Sequence, residues 1–94
     1  MYYVYILYSK SADKYYVGST GNIEQRLYQH NNSTANKFTS KYRPWELISF
    51  FEVGDSRRVV LQIENHIKNQ KKRKYVEDIV TRGSIDALIK KFTD

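Results

Sequence analysis

Apolar and aromatic positions concentrate in three short runs that are typical of β-strands. Residues 2–8 (YYVYILY) and residues 14–19 (KYYVGS) are dense in aromatic and β-branched side chains, which favour a pleated strand. The polar residues 9–13 are typical of a hairpin connection, so the two runs are predicted to pair antiparallel. Residues 45–52 (WELISFFE) have the same composition and follow Pro44. They are predicted as the third strand.

A helix is predicted directly after the hairpin. The side chain of Thr20 or Asn22 can cap a helix that begins at Ile23. At about 100° per residue, Arg26 and His30 fall in the same arc as Ile23, the arc expected to pack on the sheet. Basic residues on a packing face depart from simple amphipathic patterning, as functional residues often do. The alternative is that Arg26 extends past the edge of this face and that His30 ends the helix near its negative dipole end.

Further helices are predicted towards the C-terminus. Ser56 can cap a helix that extends into the low seventies, and residues 75–80 have weaker helical periodicity that ends at Gly83. Ser84 can cap a last amphipathic helix. Residues 31–41, which are rich in Asn, Ser, Thr and Lys, are predicted as a loop or a short irregular helix. The long helix should pack through one aliphatic stripe: Val59, Val60, Ile63 and Ile67.

These elements predict an α/β fold with a three-stranded antiparallel sheet flanked by helices, in the order β-β-α-β-α-α with a C-terminal helix. A chain of 94 residues is large enough for one domain, residues 1–94, and too small for a second core. There is no cysteine, so disulfides and thiolate metal sites are excluded. No run approaches the roughly 18 apolar residues of a membrane span, and no leader pattern opens the chain. A soluble cytoplasmic protein without a membrane partner is expected.

The charge of the chain favours a polyanionic partner. The formal net charge is +6 and the isoelectric point lies near 9.6. Nucleic acid is the commonest partner of a small basic domain. Contacts to its backbone position the nucleic acid and carry little sequence information. The candidate cations for such contacts are Lys37, Lys41, Arg43, Lys68, Lys71, Lys72, Arg73 and Lys74.

Glu64 is the single acid among seven basic residues between Arg57 and Lys74. One interpretation is an exposed ion pair with Lys68, one helical turn further on, which contributes about 0.2–0.5 kcal/mol. The other is a carboxylate that binds a hard divalent cation through oxygen. The position and isolation of Glu64 leave both interpretations open.

Two triplets in the predicted hairpin carry a resemblance to a known family. Tyr3-Val4-Tyr5 and Tyr16-Val17-Gly18, with ten residues between them, resemble the signature triplets of the GIY-YIG nuclease superfamily. Arg26 and His30 follow at spacings that fit the same family. The segment Glu64-Asn65-His66-Ile67-Lys68 is similar to the helix that delivers its metal-binding glutamate. Taken jointly, these motifs resemble the small standalone members of the superfamily.

The resemblance covers about residues 2–75 and leaves residues 76–94 as a helical tail. The first triplet departs from the consensus at its first two positions. Ser19 stands where some relatives have a lysine, and the asparagine that some members carry downstream of the glutamate has no counterpart. Gly18 is expected where the backbone must come close to another element or to phosphate, and the alternative is a plain strand-end glycine. These departures bear on substrate handling more than on the nuclease assignment.

The resemblance implies a divalent-metal-dependent endonuclease that hydrolyses DNA phosphodiester bonds, with DNA repair or recombination as its setting. It assigns five site positions, which are the catalytic Tyr5, Tyr16, Arg26 and His30 and the ligand Glu64 of one Mg²⁺ or Mn²⁺ ion. The alternatives are a non-catalytic nucleic-acid-binding module and a subunit of a larger repair complex. A standalone domain is expected to form a homodimer, to bind a partner protein that supplies specificity, or to recognise DNA shape.

The chemistry of phosphodiester hydrolysis suits these residue types. It requires charge neutralisation at the phosphate and a deprotonated water. Arg26 offers a permanently charged fork that matches phosphate oxygens, and Glu64 can hold one divalent ion weakly. Tyr5 is the candidate for positioning or deprotonating the water, and with a reference pKa of about 10 it needs neutral His30 as a proton relay and Arg26 to favour the phenolate. Tyr16 would orient water or phosphate; for both tyrosines the alternative is packing with a solvated hydroxyl.

Overall fold

Three strands and five helices make up the part of the chain that the structure describes. A computed structural model describes residues 1–32 and 37–93, apart from the side chains of Lys37 and Phe38. The predicted α/β class is confirmed. Of residues 31–41, predicted as a loop or short irregular helix, residues 31–32 end the preceding helix, residues 37–41 form a five-residue helix, and residues 33–36 lie outside the described residues. The elements are β1 (Tyr2–Ser9), β2 (Lys14–Thr20), α1 (Ile23–Asn32), α2 (Lys37–Lys41), β3 (Glu46–Gly54), α3 (Arg57–Asn69), α4 (Arg73–Arg82) and α5 (Asp86–Thr93).

The central strand β1 divides the hydrophobic core into two parts. The sheet has the order β2-β1-β3, and β1 pairs antiparallel with both neighbours. Because side chains alternate along a strand, Val4 and Ile6 face one side of the sheet. Tyr5 and Leu7 face the other side. All four residues are at most 3% exposed. A strand that is buried on both faces explains why the sequence of β1 is a continuous apolar run.

The two faces of the sheet carry clusters of different composition. On one face, the aliphatic stripe of α3 packs against β1, and side chains of α4 and α5 complete the cluster. On the other face, Tyr5 and Leu7 pack with Trp45, and Leu27 of α1 packs against this group. Tyr5 therefore lies in a small aromatic cluster next to α1. This packing brings its ring near the residues that α1 carries.

Helix α3 begins as predicted and ends earlier than predicted. The hydroxyl of Ser56 caps the helix by accepting a hydrogen bond from the backbone N–H of Val59 at 3.2 Å. The predicted stripe is confirmed, since all four of its residues are buried. The prediction that the helix extends into the low seventies is wrong, because α3 ends at Asn69 and Lys71 has a φ of 54°. A left-handed residue cannot continue a right-handed helix, so α4 begins separately at Arg73.

Caps mark the end of α4 and the start of α5, and the third strand starts later than predicted. Gly83 ends α4 in a left-handed conformation with φ 72°, and its N–H donates to the carbonyl of Ile79 at 2.9 Å. Ser84 accepts a hydrogen bond from the N–H of Asp86 at 3.1 Å, as predicted for a cap. The third strand starts one residue later than predicted and ends two residues later, at Gly54, so Trp45 precedes it. No helix within residues 1–32 and 37–93 has both the length and the apolar character needed to cross a membrane.

Candidate active site

The ring of Tyr5 crosses directly over Gly18 of the neighbouring strand. The two residues are paired across the β1–β2 ladder. A Cβ atom at position 18 would lie 2.5 Å from Cζ of Tyr5, which is far inside van der Waals contact. Only a residue without a side chain leaves room for the phenol at this point. The glycine of the second triplet thus permits the placement of the tyrosine of the first.

We expect Gly18→Ala to displace Tyr5 and to destabilise the fold. The added methyl group must push the ring aside, and overpacking of this kind costs about 1–3 kcal/mol of unfolding free energy. Urea denaturation measures the loss. Gly21→Ala is the matched control, since the atoms nearest to a Cβ at that position are 3.7 Å away. Equal stability of the two variants would show that the ring moves without cost.

Tyr5 and His30 form a buried hydrogen-bonded pair. The phenol oxygen lies 2.7 Å from Nε2 of His30, and both residues are under 5% exposed. A neutral phenol donates to Nε2 when the imidazole carries its proton on Nδ1. His30 therefore packs on the sheet, as its place in the helical arc predicts. Arg26, from the same arc, is exposed, which fits the alternative that Arg26 extends past the edge of this face.

The C-terminal end of α1 is fixed by hydrogen bonds that position His30. Asn31 donates from Nδ2 to the carbonyl of Trp45 at 3.1 Å and accepts from the N–H of Trp45 at 2.7 Å. The indole N–H of Trp45 donates to the carbonyl of Thr39 at 2.7 Å. Nε of Arg43 donates to the carbonyl of His30 at 3.1 Å. The entry to β3 therefore anchors the end of α1 beside the sheet.

Burial and nearby charges set the pKa values of this pair. Burial raises the pKa of Tyr5 above its usual value of 10. The electrostatic effect of Tyr16 also raises this pKa, whereas the cation of Arg26 lowers it. Burial, followed by the cations of Arg26 and Lys68, lowers the pKa of His30 to about 4. Both groups are therefore neutral at neutral pH. Arg26 favours the phenolate as predicted, but the effect of burial on the pKa is larger.

The lowered pKa of His30 predicts a loss of stability in acid. His30 has a reference pKa of 6.5 and a folded-state pKa of about 4. Above pH 6.5, His30 contributes nothing to the pH dependence of the unfolding free energy. Between these two values the unfolded chain binds a proton that the folded chain excludes, so unfolding becomes easier as the pH falls, by up to about 3 kcal/mol.

Urea unfolding of the wild type and His30→Gln across this pH range measures the effect. The glutamine does not titrate and can still accept a hydrogen bond from Tyr5. The variant should therefore lose less stability than the wild type as the pH falls. Parallel stability curves would contradict the assigned pKa of His30.

A pocket of about 280 Å³ lies beside the phenol of Tyr5. Four of the five predicted site residues line it, namely Tyr5, Tyr16, Arg26 and Glu64. The fifth, His30, reaches it through its hydrogen bond to Tyr5. Gly18 and Ser19 of β2 form another part of the wall. The structure therefore brings the predicted site together from β1, β2, α1 and α3.

Glu64 is held at the wall of this pocket by two partners. Its side chain is 14% exposed, and one carboxylate oxygen, Oε1, accepts a hydrogen bond from the hydroxyl of Ser19. The other oxygen, Oε2, lies 2.7 Å from Nζ of Lys68. The ion pair considered from the sequence is thus formed, and the same carboxylate also faces the pocket. The two interpretations of Glu64 are compatible.

The donors around Glu64 fit a loosely held divalent cation. Mg²⁺ takes oxygen ligands and retains several waters where the protein supplies few of them. Glu64 offers a carboxylate, and the hydroxyl of Ser19 lies beside it. Within the described part of the chain, no group of three or more His, Cys, Asp or Glu side chains could hold a metal ion. The site suits a hydrated ion that the substrate helps to bind, and it does not suit an enclosed structural metal.

Ser19 and Arg57 line the pocket but were not predicted as site residues from the sequence. Ser19 was noted only as a departure from relatives, yet its hydroxyl orients Glu64. Arg57 lines the pocket from the first turn of α3. Its spacing of seven residues from Glu64 places both on one face of a helix, so periodicity was the available signal. The pocket therefore has a second guanidinium besides Arg26.

The other predicted nucleic-acid contacts divide into three groups. Lys68, Lys71, Lys72 and Arg73 line a groove of about 510 Å³ that adjoins the pocket at Tyr16. The remaining cations lie elsewhere or are engaged: Lys74 pairs with Asp78 at 3.4 Å, Lys41 lies 5.4 Å from the ring centroid of Tyr42, and Arg43 is bonded to the backbone of His30. The side chain of Lys37 lies outside the described residues.

Arg73 is fixed within this groove. It contacts Asp13 at 2.6 Å and lies 5.1 Å from the ring centroid of Tyr15. The hydrogen bond from Arg73, followed by that from Tyr8, lowers the pKa of Asp13 to about 2. Asp13 therefore stays charged at neutral pH. The groove contains Lys14 as a further cation.

The fold and the site together define an α/β domain in which a phenol, a guanidinium and a carboxylate surround one pocket. The family model described as the GIY-YIG catalytic domain matches residues 1–76. Because this match covers most of the chain, the chain belongs to the GIY-YIG family. The family predicted from the two triplets taken jointly with Arg26, His30 and the Glu64 segment is thereby confirmed.

Small relatives match this chain over most of their own length. A UPF0213 protein of Staphylococcus saprophyticus is 34% identical over 82% of this chain and 95% of its own. A UPF0213 protein of Clostridium perfringens is 38% identical over 72% of this chain and 71% of its own. The solution NMR structure of a UPF0213 protein from Bacillus halodurans covers 99% of this chain and 98% of its own, with a TM-score of 0.52. At 24% identity this last likeness supports the fold alone.

Larger relatives contain a similar segment. The structure-specific endonuclease subunit slx1 of Pyrenophora tritici-repentis is 37% identical over 95% of this chain and 26% of its own. The corresponding subunit SLX1 of Debaryomyces hansenii is 34% identical over 81% of this chain and 24% of its own. The chain therefore spans about a quarter of the length of these relatives.

Proposed function

We propose that residues 1–94 act as one domain that hydrolyses phosphodiester bonds in DNA as a divalent-metal-dependent endonuclease. The observation that carries this proposal is the meeting of Tyr5, Arg26 and Glu64 at one pocket, with His30 bonded to Tyr5. Larger relatives are named as structure-specific endonuclease subunits, which supports endonuclease activity. DNA as the substrate and repair as the setting rest on the family resemblance. The same names support a partner protein or a second copy as the source of specificity.

Arg26 and Arg57 are the groups proposed to hold the scissile phosphate. Both are exposed and line the pocket. A guanidinium presents parallel N–H donors that match two phosphate oxygens, and its charge persists at all physiological pH values. A phosphate between them lies next to the phenol of Tyr5. The two arginines would neutralise the charge that repels an attacking water.

Tyr5 and His30 are proposed to orient and deprotonate that water. The phenol oxygen would accept a hydrogen bond from the water while the phenol donates its own proton towards Nε2 of His30, 2.7 Å away. Proton loss from the water to Tyr5 can thus be matched by proton transfer from Tyr5 to His30. Since burial disfavours both charged forms, the pair remains neutral until a charged substrate enters.

Glu64, aided by Ser19, is the proposed holder of one Mg²⁺ or Mn²⁺ ion. When bound, such an ion supplies Lewis-acid neutralisation of developing negative charge on oxygen. The contribution of the chain is the orientation of the carboxylate by the hydroxyl of Ser19. Tyr16 lines the same pocket and would orient water or phosphate by hydrogen bonding.

Purified protein should cut DNA in the presence of Mg²⁺ or Mn²⁺ and not in EDTA. The assay compares single-stranded, duplex and branched substrates, because the relatives are named for structure specificity. Salt-sensitive binding without any metal-dependent product on any of these substrates would instead favour a non-catalytic binding module. The basic groove next to the pocket is the observation that favours this second function, a non-catalytic binding module.

Lys71→Ala combined with Lys72→Ala should weaken DNA binding and its salt dependence. Both lysines line the groove, and each phosphate contact removed lowers the slope of log affinity against log salt by about one. Fluorescence anisotropy over a salt series measures this slope. Lys90→Ala combined with Lys91→Ala is the charge-matched control, since these lysines of α5 line neither the pocket nor the groove. Equal slopes of log affinity against log salt in the two double variants would show that DNA does not bind along the groove.

A further inference from the structure

Lys68 stands at the boundary between the catalytic pocket and the basic groove. Its side chain lines the groove, whereas its ion-pair partner Glu64 lines the pocket. Nζ of Lys68 lies 2.7 Å from Oε2 of Glu64 and 5.2 Å from the ring centroid of Tyr16, which borders both cavities. The lysine is 41% exposed and its partner only 14%. Lys68 is thus the more exposed member of the pair.

Both oxygens of the Glu64 carboxylate are engaged. Oε1 accepts from the hydroxyl of Ser19, and Oε2 contacts the ammonium of Lys68. The hydroxyl can remain when a cation arrives, because it is neutral and contacts the other oxygen. The ammonium cannot share Oε2 with a divalent cation without strong repulsion between like charges. A metal ion bound to Oε2 of Glu64 must therefore displace Lys68.

We propose that Lys68 couples metal binding to nucleic-acid binding by moving between Glu64 and the groove. This inference rests on the proposed function. Without metal, the ammonium occupies Glu64. With metal, the ammonium turns into the groove and contacts a phosphate of the bound strand.

The charges of the groove explain why the two ligands should help each other. Asp13 and Arg73 of the groove form an ion pair with each other, whereas the cations Lys14, Lys71 and Lys72 disfavour the entry of another ammonium. A nucleic-acid strand in the groove reverses that preference. Metal and nucleic acid therefore favour the same position of one side chain, and a shared preference of this kind makes each ligand tighten the binding of the other.

Binding of Mn²⁺, measured by electron paramagnetic resonance of the free ion, tests the first half of the proposal. Lys68→Met should bind Mn²⁺ about twofold to fivefold more tightly than the wild type in the absence of nucleic acid, the range expected for loss of a partly exposed ion pair. Lys68→Arg, which can still pair with Glu64, should bind as weakly as the wild type. Lys74→Met is the matched control, since Lys74 forms the same type of ion pair, with Asp78 on α4, outside both cavities.

Anisotropy of a labelled single-stranded oligonucleotide, with and without Mn²⁺, tests the second half. All proteins carry Tyr5→Phe to keep the strand intact, and a denaturing gel confirms that it is. The factor by which Mn²⁺ tightens oligonucleotide binding should fall at least twofold in Lys68→Met and stay unchanged in Lys74→Met. An unchanged factor, or unchanged Mn²⁺ affinity in Lys68→Met, overturns the coupling.

Glu64→Gln separates this inference from the proposed function. If Glu64→Gln loses Mn²⁺ binding while Lys68→Met binds Mn²⁺ like the wild type, the metal site stands and the coupling role of Lys68 is wrong. If Glu64→Gln binds Mn²⁺ as well as the wild type does, the proposed metal site itself is wrong.

Discussion

Glu64→Gln should lower metal-dependent cleavage by roughly a thousandfold, because metal-ion stabilisation of the transition state amounts to several kcal/mol. The amide keeps the shape of the side chain and can still accept a hydrogen bond from Ser19. It cannot supply the negative charge that a divalent cation requires. The thermal transition should change little, since the ion pair that is lost, with Lys68, is partly exposed. Single-turnover cleavage in Mg²⁺ measures the effect.

Glu77→Gln provides the control for this experiment. Glu77 forms an ion pair with Arg73 at 3.5 Å and does not line the catalytic pocket. The control variant should therefore cut DNA like the wild type. Near-normal cleavage by Glu64→Gln would place the metal elsewhere. Loss of the thermal transition in that variant would instead assign Glu64 a structural role.

Tyr5→Phe should slow cleavage by about a hundredfold to a ten-thousandfold, the usual contribution of general acid–base catalysis. The substitution removes one hydroxyl and leaves the ring packed over Gly18. It also leaves Nε2 of His30 without its bonded partner at 2.7 Å, which costs about 1–3 kcal/mol of unfolding free energy for a buried polar atom. Both effects follow from the same buried hydrogen bond. Cleavage rates and urea denaturation measure them separately.

Tyr8→Phe is the matched control on the same strand. The hydroxyl of Tyr8 also donates a short hydrogen bond, to Asp13 at 2.6 Å, but it is exposed and lies outside the catalytic pocket. This variant should retain full cleavage. If Tyr5→Phe cuts DNA as fast as Tyr8→Phe does, the phenol of Tyr5 has no role in the mechanism. His30 would then have no hydrogen-bonded connection to the attacking water.

Most of the fold could be predicted because its signals are local. Ser56 and Ser84 cap helices through their own side chains, and the stripe of α3 repeats at helical spacing within one segment. The boundary at Lys71 could not be predicted from periodicity, because a single residue with positive φ leaves the surrounding pattern unchanged. The same limit applies to Arg26. Helical periodicity shows which residues share one face of a helix, but the distance of each residue from the sheet decides which of them are buried.

The sequence by itself determined the family, most of the strand and helix content, and four of the residues that line the pocket, namely Tyr5, Tyr16, Arg26 and Glu64. These features depend on residue types at fixed spacings along the chain, so they do not require knowledge of how the segments pack together. Only the tertiary structure decided that Ser19 and Lys68 engage opposite oxygens of Glu64, that Tyr5 passes over Gly18, and that burial holds the Tyr5–His30 pair neutral. The physical reason is that contact distances and solvation depend on how β1, β2, α1 and α3 pack together, and no single segment contains that information.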